Sequence, residues 1–277
     1  MQNWQISVKI RQKNASPAKS ILSVHSYTLR DYLPTMKLCA AQTKPLKGNI
    51  PVNIHNHQKL IHLAIANGVD FIVFPELSII GYEPTLADEL AMPLNDPRLN
   101  GFQTLSDAGP ITIGIGMPLK TTDGITISMI LFQPEKARET YSKQYLHADE
   151  EPYFVRGHST IGLLGPEANI AAAICYELSV PEHSEAAHKA GAKTYFASVV
   201  KTAAGTAKAI DTLAVIAKTY SMNVVMANCV GVCDGEICGG RSSVWNQRGE
   251  LLGQLNDTGE GILIIDTDTQ EVIKKTL

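Results

Sequence analysis

Cys175 closes the apolar run Ala171-Ala172-Ala173-Ile174 and precedes Tyr176-Glu177-Leu178-Ser179, where a buried strand turns toward a helix. A strand-to-loop corner at the carboxyl edge of an α/β sheet exposes one side chain, so a thiol there meets substrate while the residues behind it stay packed. The plain alternative is a small buried hydrophobe. Glu76 follows Phe71-Ile72-Val73-Phe74-Pro75, a β-run ended by proline. Burial at that point raises a carboxyl pKa and suits the group to general-base work near neutrality; the alternative is a solvated loop acid. Lys143 lies within Tyr141-Ser142-Lys143-Gln144-Tyr145-Leu146. An ammonium held there can bind a developing oxyanion, whereas an ordinary lysine on an edge strand faces water. None of the three decides the matter alone.

Together they resemble, in order, spacing and flanking residues, the nitrilase superfamily of carbon-nitrogen hydrolases, over about residues 36–266. Phe74-Pro75-Glu76 with Gly81-Tyr82 is similar to the base segment of that family. Tyr141-Ser142-Lys143 with Leu146 is similar to its lysine segment, and Ile174-Cys175-Tyr176-Glu177 with Pro181-Glu182 to its nucleophile segment. Ala227-Asn228 with Gly231, and Gly240-Arg241-Ser242-Ser243 with Arg248-Gly249-Glu250, match later landmarks. Members carry a second glutamate between lysine and cysteine, and the spacing to Tyr153-Phe154 and Gly157 favours Glu150, with Glu151 as the alternative. Two departures stand out. Tyr145-Leu146-His147 replaces a His-Leu-Pro style run, and Glu177 stands where many amidases have Asp, one methylene shorter.

The resemblance implies a four-layer α-β-β-α sandwich and a mechanism. Glu76 takes the proton of Cys175, the thiolate attacks an amide carbonyl, and Lys143 with the backbone N–H of Tyr176 stabilises the oxyanion. A thioester forms, an amine or ammonia leaves, and water completes the hydrolysis with Glu150 positioning groups. No metal or organic cofactor is required. The expected substrate is a small aliphatic amide or carbamoyl compound. Tyr82, Tyr145 and Phe154 are candidates to line its pocket, or else to fill the core. Lys201, after the strand expected at Tyr195–Val200, is a candidate to bind a substrate carboxylate, or else a solvated lysine.

To position these groups the sequence supplies alternating elements. A strand near 37–43, a helix near 51–67 ending at Gly68 and the strand at Phe71–Phe74 form a βαβ unit. Strands near 111–116, 125–133 and 171–174 follow, then a helix near 181–190, a strand near 195–200, a helix near 206–221 and a strand at 224–228. Shorter strands near 242–246, 250–255 and 261–266 end a layered α/β domain, with Arg248-Gly249-Glu250 as a turn between the first two. The domain is expected to cover residues 36–277. Residues 1–35, polar, basic and without sustained period, are expected to be a disordered or loosely held extension.

Bulk properties narrow the alternatives. At 277 residues the chain can bury a large core, and its formal charge of −3 gives no field to attract nucleic acid or an anionic membrane. No apolar run is long enough to span a bilayer, and no secretory signal is visible. Five cysteines, an odd number without a disulfide framework, suit a reducing compartment, and cytoplasm is the expected location. The resemblance also implies a homodimer or larger assembly, packed through helices near the nucleophile. Competing readings are a nitrilase using the same three residues and a non-catalytic binding protein. A glutaminase module serving a synthetase would need a second domain or partner, and none is encoded in these residues. Cys229, Cys233 and Cys238, with Asp234 and Glu236 between, suggest a metal site only weakly, because the spacing is not Cys-x-x-Cys.

Overall fold

The βαβ unit is formed by β1 (Lys37–Gln42), α1 (Ile50–Ile65) and β2 (Phe71–Val73), with β1 and β2 parallel. The structure is a computed structural model describing residues 36–158, 162–165 and 167–277; the expectation for residues 1–35 lies outside the described residues. The Asn49 side chain caps α1 by accepting from the Val52 N–H, and Pro51 sits in the first turn where its missing donor is not needed. The helix turns Leu60, Ile61 and Ala64 inward and the chain reverses at Gly68, φ +67°.

Beyond the short helices α2 (Ala87–Leu90) and α3 (Asn100–Ala108), the chain adds β3 (Thr112–Lys120), β4 (Ile125–Phe132) and β5 (Glu139–Ser142). A second run follows: β6 (Ile170–Ile174), α4 (Pro181–Lys189), β7 (Thr194–Ser198), α5 (Ala203–Tyr220) and β8 (Asn223–Ala227), the three strands mutually parallel. The β-rich end comprises β9 (Val230–Cys233), β10 (Glu236–Gly239), β11 (Ser243–Trp245), β12 (Leu251–Gln254), β13 (Gly261–Asp266) and β14 (Val272–Thr276). One sheet runs β14-β13-β1-β2-β3-β4-β5, and a second runs β12-β11-β8-β7-β6.

Strand periodicity explains the four layers. In β6 and β7, Ala172, Ile174 and Phe196 face the first sheet and share its core, where Phe196 meets Phe71 edge-on at 4.9 Å. The alternate residues Ala171, Ala173, Tyr195 and Ala197 pack instead with Leu213, Ile216 and Ala217 of α5. Strands covered on both faces read as continuous apolar runs, which is why β6 and β8 lack polar alternation.

Three differences from the sequence reading have physical causes. Helix α5 starts at Ala203 instead of 206 because the Thr202 side chain caps it, accepting from the Gly205 N–H. The cysteine-containing stretch is a β9–β10 hairpin whose two-residue turn, Asp234-Gly235, takes positive φ at both positions, the geometry that matches strand twist. Strand β14 was not anticipated, because it is an edge strand in which only Val272 and Ile273 pack on the core and Lys274-Lys275-Thr276 are exposed.

Candidate active site

Phe74 and Pro75 carry the chain out of β2 into a tight turn at Glu76. Leu77 adopts φ +46°, and the N–H groups of Ile80, Gly81 and Tyr82 all return to its carbonyl. A Cβ at Gly116 of the adjacent β3 would collide with the Pro75 carbonyl, so glycine permits this close approach. Buried His57 of α1 supports the turn, stacking on Phe74 at 4.3 Å. Burial lowers its pKa to about 4, so the ring is neutral. Its Nδ1–H then donates to the Asn53 carbonyl at 2.7 Å and Nε2 accepts from the Ser78 hydroxyl at 2.8 Å.

Lys143 follows the edge strand β5, yet its side chain is wholly buried, unlike an ordinary edge lysine. Its backbone is held on both sides, by the Ile127 carbonyl and by the Gly157 N–H, each at 2.8 Å. The ammonium donates to Glu76 Oε1 at 2.7 Å and to Glu150 Oε1 at 2.6 Å. Glu150 also accepts from the Tyr82 hydroxyl at 3.0 Å and from the His147 N–H at 2.8 Å. Glu151 is exposed and paired with Arg156, whereas Glu150 is buried against Lys143.

Burial raises the Glu76 pKa to about 7; the Lys143 charge opposes this and the Glu150 charge reinforces it. Burial works against the Lys143 ammonium, but the two carboxylates beside it hold its pKa above the ordinary value. Glu76 Oε2 is buried without a hydrogen-bond partner among the described residues, so one lone-pair face of this base is uncommitted.

Cys175 occupies the corner after β6 with φ +44°, an unfavourable region for a side chain that bears a Cβ. It is partly exposed, unlike the other four cysteines, and its thiol donates to the Val200 carbonyl at 3.6 Å. Burial, then the Glu76 charge, push the thiol up to about 11, opposed by Lys201 and Lys143. The charges of Glu76 and Lys143 both act on the Cys175 thiol, which places the three groups within electrostatic reach of one another.

The remaining sequence candidates divide. Tyr82 and Tyr145 are half-buried, and Tyr176 is exposed, its ring edge-on to His147 at 5.2 Å. Phe154 is turned into the main core at 4 % exposure, so it packs and does not line a pocket. Lys201 is half-buried, its N–H donating to Asn228 Oδ1 at 3.0 Å and its carbonyl accepting from the Gly239 N–H at 2.7 Å. Among the described residues its ammonium has no ion-pair partner, while its charge acts on both Glu76 and Cys175.

Sequence reasoning assigned no role to Glu177, which is fully buried and bonded to both the lysine and nucleophile segments. The clue was an acid two residues after the nucleophile. Cys229, Cys233 and Cys238 form a small buried cluster against Tyr82 and Val200. Among the described residues no group of His, Cys, Asp or Glu side chains could hold a metal ion, and no helix is long and apolar enough to cross a membrane.

The family model for carbon-nitrogen hydrolases matches residues 37–275. Two curated relatives are glutamine-dependent NAD(+) synthetases. That of Acinetobacter baylyi is 26% identical over 86% of this chain and 45% of its own length, and that of Thermotoga maritima 23% identical over 87% and 44%. The chain thus spans about half the length of the curated relatives it matches. Among solved structures, an amidase variant from Nesterenkonia sp. AN1 in complex with butyramide shares the fold with a TM-score of 0.77 at 20% identity, covering 85% of this chain and 92% of that one. A second variant, with the acetamide moiety of fluoroacetamide added covalently at its active site cysteine, has a TM-score of 0.76 at 20% identity, covering 83% and 90%. With a family match across nearly the whole described domain, the chain belongs to the carbon-nitrogen hydrolases.

Proposed function

We propose that the chain hydrolyses a small linear amide or carbamoyl compound through a thioester on Cys175. The observation that carries this reading is the sealed Lys143 ammonium, 2.7 Å from Glu76 and 2.6 Å from Glu150, beside a partly exposed thiol at a positive-φ corner. As the sulfur attacks the carbonyl carbon, Glu76 accepts the thiol proton and the carbonyl π pair moves to oxygen. Lys143 and the Tyr176 N–H receive that oxyanion. Its collapse breaks the carbon-nitrogen bond, and Glu76 returns the proton to the departing nitrogen. Water then attacks the thioester with Glu76 again as base, releasing the acid and restoring the thiol. Glu150 keeps Lys143 aimed and charged, and Tyr82 keeps Glu150 in place. Tyr145 and Tyr176 border the substrate, and Lys201 receives a negatively charged end of it. Assembly as a homodimer or larger oligomer belongs to the same proposal, and sedimentation velocity tests it.

The decisive experiment is an ammonia-release screen over acetamide, butyramide, glutamine, ureido acids and matched nitriles, with Cys175→Ala as control. Glutamine is included because the curated relatives are glutamine-dependent. Release from amides that vanishes in the variant supports the reading. Hydrolysis of nitriles alone, or equal release by the variant, overturns it.

A further inference from the structure

We propose that Glu177 is a positioning residue that sets the separation of Cys175 and Lys143 by dividing its two carboxylate oxygens between the segments that carry them. Oε1 accepts the N–H of Gln144, the residue after Lys143, at 2.6 Å, with the Tyr145 N–H at 3.4 Å. Oε2 accepts the N–H of Ile174, the residue before Cys175, at 2.7 Å. One fully buried side chain therefore ties the oxyanion donor's backbone to the nucleophile's backbone.

The carboxylate is in turn fixed from the helix side. The Tyr141 hydroxyl donates to Oε2 at 2.8 Å, so its oxygen must accept from His183 Nε2–H, 2.7 Å away. Burial lowers the His183 pKa to about 4, so the ring is neutral and Nδ1 accepts from the Tyr195 hydroxyl at 2.8 Å. Every proton in the chain Tyr195, His183, Tyr141, Glu177 thus has one consistent place, each donor pointing toward the carboxylate. Burial raises the Glu177 pKa to about 7, and the backbone donors and the Tyr141 hydroxyl pull it back. A protonated acid would set an O–H against one of those donors, so the network favours the ionised form. The extra methylene relative to aspartate supplies the reach to both segments.

This inference rests on the thiol-amidase reading, and its test separates the two. Acylation of Cys175 by p-nitrophenyl acetate needs the oxyanion site, whereas alkylation by iodoacetamide needs only the thiol. Glu177→Gln presents one acceptor and one donor, and Glu177→Asp keeps the charge but cannot span both segments. In each, acylation is expected to slow by about tenfold to hundredfold while alkylation stays within about threefold, because displacing an oriented donor by about 1 Å has that effect. Tyr141→Phe removes one support and should slow acylation by about threefold to tenfold; it serves if the Glu177 variants do not fold. Acylation within about threefold of wild type in both Glu177 variants, or in Tyr141→Phe where they do not fold, overturns the inference, as does an equal loss of acylation and alkylation. A wild-type chain that p-nitrophenyl acetate does not acylate at Cys175 would instead sink the amidase reading.

Discussion

Two thiol environments lie back to back in this molecule. Tyr82 and Val200 separate them: each packs on the cluster of Cys229, Cys233 and Cys238, while the Tyr82 hydroxyl bonds Glu150 and the Val200 carbonyl accepts from Cys175. On one side a half-buried thiol stands at a strained corner, near two lysine charges that lower its pKa against burial and Glu76. On the other, bonding to Cys229 and then burial hold the Cys233 thiol far above the ordinary range, and bonding to Cys233 and then burial do the same for Cys238. Thiolate character and access govern cysteine reactivity, so the partly exposed Cys175, whose pKa two lysines hold down against burial, is expected to react before buried Cys233 and Cys238.

The largest expected effect is that Cys175→Ala abolishes turnover, by at least about 10⁴-fold, while changing unfolding free energy by less than about 1 kcal/mol. Cys233→Ser should do the reverse. Turnover stays within about twofold, and a hydroxyl in a thiol-lined pocket lowers stability by about 1–2 kcal/mol in urea titrations. Comparable loss of turnover in both variants would collapse the distinction between the two environments.

The charged side is next. Lys143→Met leaves Glu76 and Glu150 buried without their cation, which should cost about 3–5 kcal/mol at neutral pH, besides activity. Without the ammonium the Glu76 carboxyl, already raised by burial, lies further above its unfolded value of about 4.3. The stability it then contributes is present below the unfolded pKa and lost as pH rises through the folded one. The deficit of the variant against wild type should therefore shrink at pH 5 and grow at pH 8. A deficit independent of pH would mean the two acids are not sealed from water.

A smaller and reversible effect is expected in the wild type. Because Glu76 must be ionised to accept the thiol proton and titrates at about 7, kcat/KM should climb by about tenfold per pH unit below that value and level off above it. Glu76→Gln should be slower by about 10²- to 10⁴-fold and lose this limb. A limb that survives in Glu76→Gln would assign the base to another group.

The legible part of the site was the part encoded locally. Glu76 and Cys175 each follow a short apolar run, Lys143 follows the short polar strand Glu139–Ser142, and the alternation of runs marked the sheets that carry them. Glu177 was visible as an acid, but its role depends on the Gln144 N–H, 33 residues away, and on a histidine from α4. No periodicity reports such a contact. The depth of Lys143 was equally hidden, since an edge strand normally leaves a lysine in water, and only Glu150 with Glu76 makes burial affordable. The β9–β10 hairpin, by contrast, is encoded locally by Asp234-Gly235, a turn pair that takes positive φ at both positions.

Lys201 offers the finest adjustment to the contrast between the two thiol environments, because its charge acts on Glu76 and Cys175. Its backbone is pinned by Asn228, whose amide also donates to the Gly240 carbonyl at 2.8 Å and the Thr206 hydroxyl at 3.0 Å, so the residue is fixed while its ammonium is unpaired among the described residues. Lys201→Met keeps most of the aliphatic stem and removes the charge. For an amide bearing a carboxylate, KM should rise by about tenfold, the value of one partly screened charge pair, with kcat nearly unchanged. For a neutral amide of the same length, KM should move by less than about twofold. If both substrates lose equally in kcat, the lysine acts on the thiol and not on the substrate, and Cys175 alkylation would slow in parallel.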